Sequence, residues 1–152
     1  MKVFRCLALV ALNLVFGASF SLAAVPAEGW QSDYKAALEQ AAKENKMVLL
    51  DFTGSDWCGW CIKLRKDTFS KPEFRKLAAE KLVLVEIDFP RQKEQTAEVK
   101  KQNEDLLERF GVQGFPTLVL LDPQGKEAAR NVGYLAGGPE GFAKWVESAQ
   151  QR

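Results

Sequence analysis

Three nearly continuous apolar runs have the length of β-strands: Met47–Thr53, Leu82–Asp88 and Thr117–Leu121. Runs of this kind are typical of strands that are buried on both faces of a sheet. The third run is followed by Asp122-Pro123-Gln124-Gly125, which has the sequence of a tight turn. We therefore predict that Glu127–Val132 returns antiparallel to the third strand and forms a fourth.

Segments with helical periodicity separate and flank these strands. The first predicted helix runs from Asp33 to about Glu44 with Ser32 as its cap, the second contains Cys58 and Cys61 and ends at about Thr68, and the third begins at Ser70. A solvated loop, Pro90–Lys101, leads into the fourth, which ends near Phe110. The fifth begins at Gly137 and has an apolar stripe formed by Phe142, Trp145, Val146 and Ala149. The first two strands are joined through helix and should be parallel. The pattern predicts an α/β fold with helices on both faces of a mixed four-stranded sheet.

Two cysteines separated by two residues begin one of these helices, in the sequence Trp57-Cys58-Gly59-Trp60-Cys61. The start of a helix has unpaired backbone N–H groups and a partial positive charge, so a thiolate at Cys58 is stabilised there. Cys61 lies one helical turn further on, close enough to form a disulfide with Cys58. The pair therefore indicates a redox dithiol, with a structural disulfide or half of a zinc site as alternatives.

Composition narrows these alternatives. The chain has 152 residues, which suits one domain, and its 47% hydrophobic and 27% charged residues are ordinary for a globular protein. The net charge of +1 and the interleaving of basic with acidic residues do not favour nucleic acid as a partner. Histidine is absent, which excludes imidazole bases, His-ligated zinc and covalent haem at a C-x-x-C-H motif. We predict no metal and no cofactor.

The first 23 residues have the features of a secretory signal peptide. Lys2 and Arg5 precede an apolar run from Cys6 to Phe20, and the small residues of Ser21-Leu22-Ala23 follow it. We predict cleavage after Ala23, which would leave residues 24–152 as a single exported domain. An uncleaved membrane anchor is the alternative. Cys6 would leave with the leader, so the exported chain would keep a single close-spaced pair of thiols, which favours redox chemistry over a disulfide-stapled scaffold.

The order of elements, the Trp57–Cys61 motif and Gly114-Phe115-Pro116-Thr117 before the third strand resemble the thioredoxin fold over essentially all of the chain after the leader. The longer stretch Phe52–Lys63 and the strand ending Asp88-Phe89-Pro90 resemble an exported subgroup, the DsbH-like periplasmic oxidoreductases, some of which are labelled thioredoxin disulfide isomerases. This resemblance implies a thioredoxin-like three-layer α/β/α architecture and a thiol–disulfide oxidoreductase.

The resemblance also implies roles for residues outside the dithiol. Pro116 is expected to follow a cis peptide bond and to face the disulfide, which would leave the backbone of Phe115 free to pair with a substrate peptide. An ordinary trans proline at a strand edge is the alternative. Trp57, Gly59, Trp60 and Phe115 are the predicted substrate-binding residues. Trp57 should pack beside the dithiol, and Trp60 either offers an apolar contact to unfolded substrate or only packs on its helix.

Asp51 corresponds to a buried aspartate that acts on the proton of the second cysteine in thioredoxins. A carboxyl within this apolar strand should have a raised pKa, which suits a proton acceptor and donor. The path from Asp51 to Cys58 is one residue longer than in ordinary thioredoxin, so a capping or solvated aspartate is the alternative. Asp56 is the second candidate carboxylate.

In the implied mechanism Cys58 is the nucleophile and Cys61 the resolving cysteine. Gly59 and Trp60 place neither a positive charge nor an imidazole between them, so we predict a protein that reduces, or also isomerises, the disulfides of exported proteins. A dedicated electron carrier to one partner, as in cytochrome maturation, is the alternative, followed by a copper-binding module. A reductase in an oxidising compartment implies a membrane electron donor, DsbD-like in kind. The predicted oligomeric state is a monomer.

Overall fold

The computed structural model describes residues 29–151, and the predicted leader at residues 1–23, with its Cys6, lies outside them. The strands are β1 Trp30–Gln31, β2 Met47–Thr53, β3 Leu82–Asp88, β4 Thr117–Leu121 and β5 Glu127–Val132. The helices are α1 Tyr34–Glu44, α2 Gly59–Leu64, α3 Pro72–Lys81, α4 Ala97–Arg109 and α5 Gly138–Gln150, and a π-helical segment, Arg65–Phe69, continues α2.

The strands form one mixed sheet in the order β1-β3-β2-β4-β5. β1 and β2 are parallel to β3, whereas β4 is antiparallel to both β2 and β5. The prediction of four strands was wrong by one, because Trp30 and Gln31 pair with Leu84 and Val85 of β3. Two residues are too few to give a periodic signal, so this edge strand could not be recognised from the pattern.

Both faces of the sheet are covered by helices, which confirms the predicted three-layer α/β/α architecture. On one face, the core residues of the sheet pack with Tyr34, Ala37 and Ala41 of α1 and Leu106 of α4. On the other face, they pack with the π-helical segment and three helices through Leu64, Phe69, Phe74, Ala78, Phe142, Val146 and Ala149. All residues of β2 and β4 are buried, as their continuous apolar sequences predict.

Several helix ends differ from the predicted ones. The cap of α1 is Asp33, whose Oδ1 accepts the backbone N–H of Ala36 at 2.9 Å, and not Ser32. α3 begins at Pro72 after Lys71, one residue beyond the predicted cap Ser70. Each shift is of one residue. Asp33 takes the capping position predicted for Ser32, whereas Lys71 makes no side-chain capping hydrogen bond and α3 begins with Pro72, a residue suited to the first turn.

The helix that carries the cysteines does not continue as regular α-helix to Thr68. The backbone N–H of Ser70 donates to the carbonyl of Arg65 at 2.8 Å, which is the wider turn of a π-helix. Thr68 and Phe69, two consecutive residues, are both buried in this turn. Likewise, α4 starts at Ala97, so its first turn lies within the predicted solvated loop. No helix in residues 29–151 is both long and apolar enough to cross a membrane.

Candidate active site

Cys58 and Cys61 form a disulfide where the chain passes from β2 into α2. The Cα atoms of the two residues are 5.2 Å apart. Cys58 caps α2, and its Sγ accepts the backbone N–H of Cys61 at 3.2 Å. A thiolate at Cys58 would keep this hydrogen bond and gain from its negative charge, since the acceptor lies at the positive end of the helix. Cys58 is 7% exposed and Cys61 4%.

The loop between β2 and Cys58 is closed by Gly54. Its carbonyl accepts the backbone N–H groups of Trp57 at 3.2 Å and Cys58 at 2.8 Å. A Cβ atom at Gly54 would lie 2.4 Å from Cε2 of the Trp57 indole. The loop therefore needs glycine at this position, because the Trp57 ring occupies the space that any side chain would take.

Two carboxylates join this loop to the chain after β3. Asp88 accepts both the backbone N–H of Ser55, at 2.9 Å, and its hydroxyl, at 2.6 Å. Asp56 accepts the backbone N–H groups of Arg91, at 3.0 Å, and Gln92, at 2.8 Å. These N–H groups lower the pKa of Asp56, with the bond from Arg91 as the largest cause. An aspartate held ionised in this way positions the loop and is a poor proton acceptor.

The Trp57 side chain is held by the segment that follows β3. Its Nε1–H donates to the carbonyl of Phe89 at 2.7 Å. The edge of its ring meets Phe115, with 6.0 Å between ring centroids, and Phe115 in turn stacks on Phe89 at 5.2 Å. The guanidinium of Arg91 lies 4.1 Å above the Trp57 ring centroid. The two predicted substrate-binding residues Trp57 and Phe115 are thus in contact beside Cys58.

The peptide bond between Phe115 and Pro116 is cis, the isomer that the resemblance implies. Because Thr117 is paired with Phe52, Pro116 lies at the end of the sheet where β2 leads to the cysteines. The Pro116 carbonyl accepts the N–H of Gly133 at 2.8 Å. The Phe115 backbone makes no hydrogen bond within residues 29–151, so its polar groups are available to an added strand.

Asp51 is buried in β2, with 3% of its surface exposed. Alternation along the strand puts its carboxyl on the same face as Leu49, which belongs to the core cluster that contains Leu64 of α2. Burial raises the pKa of Asp51 to about 7. Its Oδ1 has no hydrogen-bond partner in the described part of the chain. The carboxyl therefore faces the layer that carries the cysteines and is half-ionised near neutral pH.

Sequence reasoning missed an ion pair beside Asp51. Glu86 is the residue of β3 that pairs with Asp51 across the parallel strands, and its carboxylate binds the guanidinium of Arg65 from the π-helical segment. Arg65 opposes the rise in the pKa of Asp51, whereas Glu86 and Asp88 add to it. The sequence carries one signal for this pair, a glutamate between the apolar residues Val85 and Ile87 of β3.

Trp60 lies on the other side of the dithiol and is 60% exposed. Its ring is 5.6 Å from that of Tyr134, whose hydroxyl donates to Asp67 at 2.9 Å. Lys63 pairs with the same carboxylate at 2.5 Å. Asp67 thus holds Tyr134, whose ring contacts one part of the Trp60 ring, and most of the Trp60 surface stays exposed. Gly59 is also exposed, and a Cβ there would touch nothing within 4 Å.

A mixed sheet between helical layers, with a dithiol at a helix start and a cis-proline at the same end of the sheet, defines a thioredoxin-type thiol–disulfide oxidoreductase. The chain belongs to the thioredoxin-like family: its residues 34–150 match the family model described as a thioredoxin-like domain. This match confirms the predicted fold class, and the relatives described next confirm the predicted thiol–disulfide oxidoreductase.

Comparison with individual proteins supports the predicted subgroup. The chain is 41% identical over 120 residues to the disulfide bond reductase DsbH of Chlamydia pneumoniae. The aligned region covers 79% of this chain and 71% of that relative. It is 34% identical over 101 residues to the thioredoxin-related protein DsbJ of the same organism, but spans only 29% of that protein. A solved DsbH oxidoreductase superposes with a TM-score of 0.74 at 35% identity, covering 88% of this chain and 95% of the other.

Proposed function

We propose that this protein is exported and reduces disulfide bonds of exported proteins through Cys58 and Cys61. The position of Cys58 as the cap of α2 carries the proposal, since a thiolate there accepts a backbone N–H at the positive end of a helix. The segment between the cysteines supports the direction. Gly59 and Trp60 add no positive charge and no imidazole that would stabilise the reduced form further.

The chemical steps follow from thiol–disulfide exchange. The Cys58 thiolate attacks one sulfur of the substrate disulfide, the substrate S–S bond breaks, and its other sulfur leaves as a thiolate. Cys61 then loses its proton to Asp51 and attacks Cys58 Sγ, which breaks the bond to the substrate. Asp51 then protonates the second leaving thiolate, while the first takes up a proton from solvent, which balances the proton that Cys58 lost on ionising. Two electrons have then passed from the dithiol to the substrate. The protein is left with the Cys58–Cys61 disulfide.

The buried Asp51 is the proposed proton carrier for Cys61. Its pKa of about 7 lets the carboxyl accept a proton from the thiol and return it within the same cycle at neutral pH. Pro116 and the free backbone groups of Phe115 are the proposed seat of the substrate strand. Trp57, Gly59 and Trp60 are its proposed neighbours, and the exposure of Trp60 favours a contact with substrate over packing alone.

Turnover requires a partner that reduces the disulfide again. We assign this role to a membrane dithiol donor of the DsbD kind, because an oxidising compartment supplies no soluble pool of reductant. Residues 1–23 are the proposed export signal, and residues 24–152 the proposed mature monomer. A mature chain purified from the periplasm and beginning at Ala24 would support the leader, whereas one beginning at Met1 would show that it is retained.

A trapping experiment tests the proposed function. In the Cys61→Ala variant the second step is blocked, so mixed disulfides between Cys58 and exported proteins should accumulate and disappear on treatment with dithiothreitol. The matched control, Cys58→Ala, has no nucleophile and should trap nothing. Many trapped proteins would support a general reductase, and a single one would favour a dedicated electron carrier. No mixed disulfide at all would contradict both functions.

The reduction potential tests the direction. After equilibration with glutathione, we expect the Cys58–Cys61 couple to lie below about −200 mV, in the range of reducing thioredoxin-fold proteins. A value near about −120 mV, where the strong oxidant of this fold lies, would contradict the reductive direction. The trapping result would then be assigned to an oxidase.

A further inference from the structure

The short segment after β3, residues 89–93, is fixed against the loop that leads to Cys58. The two N–H groups donated to Asp56 hold its backbone, and the Phe89 carbonyl accepts the Trp57 indole N–H. Lys93 adds a contact from its Nζ to Ser55 Oγ at 3.0 Å. The segment therefore forms one wall beside the dithiol, built from residues that the proposed reaction does not use.

Arg91 presents its side chain on this wall. The central carbon of its guanidinium lies over the Trp57 ring, 4.1 Å from the ring centroid, and Trp57 is itself 37% exposed. A guanidinium that stacks on an aromatic face keeps its N–H groups at the edge, where they remain free to bind a planar anion. Within residues 29–151 no carboxylate forms an ion pair with this guanidinium.

Two of the acidic groups at the joined loops are already engaged, and a third, the exposed Glu94, follows Lys93. Asp56 accepts backbone N–H groups, and Asp88 accepts the N–H and hydroxyl of Ser55. Both carboxylates are used to connect the loops. Arg91 and the exposed Lys93 are left as positive charges at the rim next to Cys58.

We propose that Arg91, seated on Trp57, binds an acidic side chain that lies close to the disulfide in the substrate polypeptide. The planar guanidinium matches a carboxylate in two parallel hydrogen bonds, which a lysine cannot make. Arg91 is held at two points, through its backbone N–H on Asp56 and its guanidinium over Trp57, which lowers the conformational entropy lost on binding. This ion pair would favour substrates with an acidic residue near the disulfide. The inference rests on the proposed reduction of disulfides.

Two model peptides test this inference. Each is closed by one disulfide, and they differ only in having glutamate or glutamine beside each cysteine. Reduced protein is mixed with each peptide at low ionic strength, and the second-order rate constants are divided by those for dithiothreitol. This division removes the effect of the charge on the disulfide itself. We expect the protein to prefer the glutamate peptide by about threefold to fivefold, the effect of one exposed ion pair, and salt to weaken the preference.

Variants test whether Arg91, and not another charged residue, causes the preference for the glutamate peptide. Arg91→Gln should bring the ratio of the two normalised rate constants, glutamate peptide over glutamine peptide, close to one. Arg91→Glu should lower this ratio below one, and Arg91→Lys should keep part of the preference. The control Arg109→Gln removes an arginine that also stacks on an aromatic ring, 5.7 Å from that of Tyr34, but on α4, and should keep the ratio.

The outcomes distinguish this inference from the proposed function. Equal rate constants for both peptides after division by those for dithiothreitol would overturn the inference alone, as would an unchanged ratio in Arg91→Gln. Failure to reduce either peptide would overturn the proposed reduction and the inference with it.

Discussion

Asp51 lies in the middle of a strand in which every residue is buried. Removal from water disfavours its charged form, and the neighbouring Glu86 and Asp88 act in the same direction, while Arg65 opposes them. The outcome is a pKa of about 7, close to the pH at which a proton must be taken from one thiol and given to another. In the proposed mechanism, the environment of this one side chain would therefore affect the rate of the second step of exchange.

Replacement of Asp51 by Asn should slow the release of reduced substrate at pH 7 by about tenfold or more, since positioned proton transfer contributes at least this much. The mixed disulfide should accumulate during a single turnover, and the pH profile of release should lose its step near pH 7. Quenched-flow analysis of the mixed disulfide measures both. Asp105→Asn, which removes an exposed carboxylate on α4, is the control. An unchanged release rate and profile would remove Asp51 from the mechanism.

Removing the charge of Glu86 and removing that of Arg65 should shift the step in the pH profile of release in opposite directions. Glu86→Gln removes a negative charge beside Asp51, so the pKa of Asp51 should fall and the step in the profile should move to lower pH. Arg65→Gln removes the opposing positive charge, so the step should move to higher pH. Infrared titration of the Asp51 carboxyl in the unmodified protein and the two variants measures the order of the three pKa values directly. Shifts of the same sign would show that the pair acts only on packing.

The limits of β2, β4 and β5 agree with the sequence pattern because each is bounded by residues that interrupt the apolar or strand-forming run. β3 also ends as predicted, at Asp88, although the apolar Phe89 follows it. The sequence did not indicate β1, because two residues depend wholly on the partner strand β3. The dithiol and Pro116 could be found because their motifs are local. By contrast, the contacts of Asp56 with Arg91 and of Arg65 with Glu86 join residues 35 and 21 positions apart, and so depend on the folded arrangement.

Gly54 shows how the loop before Cys58 depends on one backbone position. In Gly54→Ala the new Cβ would overlap the Trp57 indole, with 2.4 Å to Cε2, so the ring must leave its place between Arg91 and Phe115. Such overpacking lowers the free energy of unfolding by about 1–3 kcal/mol. Urea denaturation measures the loss of stability, and tryptophan emission reports the displacement of the Trp57 ring.

The matched control for this loop is Gly114→Ala, where a Cβ would meet nothing within 4 Å. It should leave both tryptophan emission and the urea midpoint close to those of the unmodified protein. If Gly54→Ala behaved in the same way, the close approach of Trp57 to the backbone would not restrict this position.

The whole molecule brings three loops together at one end of the sheet. These loops follow β2, follow β3 and precede β4, and they carry the cysteines, Arg91 and Pro116. The backbone bond from Phe89 N–H to the Thr53 carbonyl, at 2.9 Å, closes the gap between the first two. Two core clusters, one on each face of the sheet, hold this end in place. The same core buries Asp51, so the stability of the fold and the chemistry of the site are coupled.

Asp51 should therefore make the protein less stable as the pH rises. Its pKa is about 7 in the folded protein and has an ordinary value of 3.8, so the folded state binds more protons between these values. The free energy of unfolding must then fall through this range and level off above about pH 7, by a few kcal/mol at most. Asp51→Asn removes this contribution.

We expect the oxidised Asp51→Asn variant to gain stability relative to the unmodified protein as the pH rises from 4 to 8. Urea denaturation across this range measures the difference between the two proteins, which cancels the titration of all other groups that Asp51 does not touch. Asp105→Asn, which removes an exposed carboxylate on α4, is measured in the same way as the control. A constant difference for Asp51→Asn would mean that the Asp51 carboxyl has the same pKa in the folded and unfolded chains, and that burial does not tune it for proton transfer.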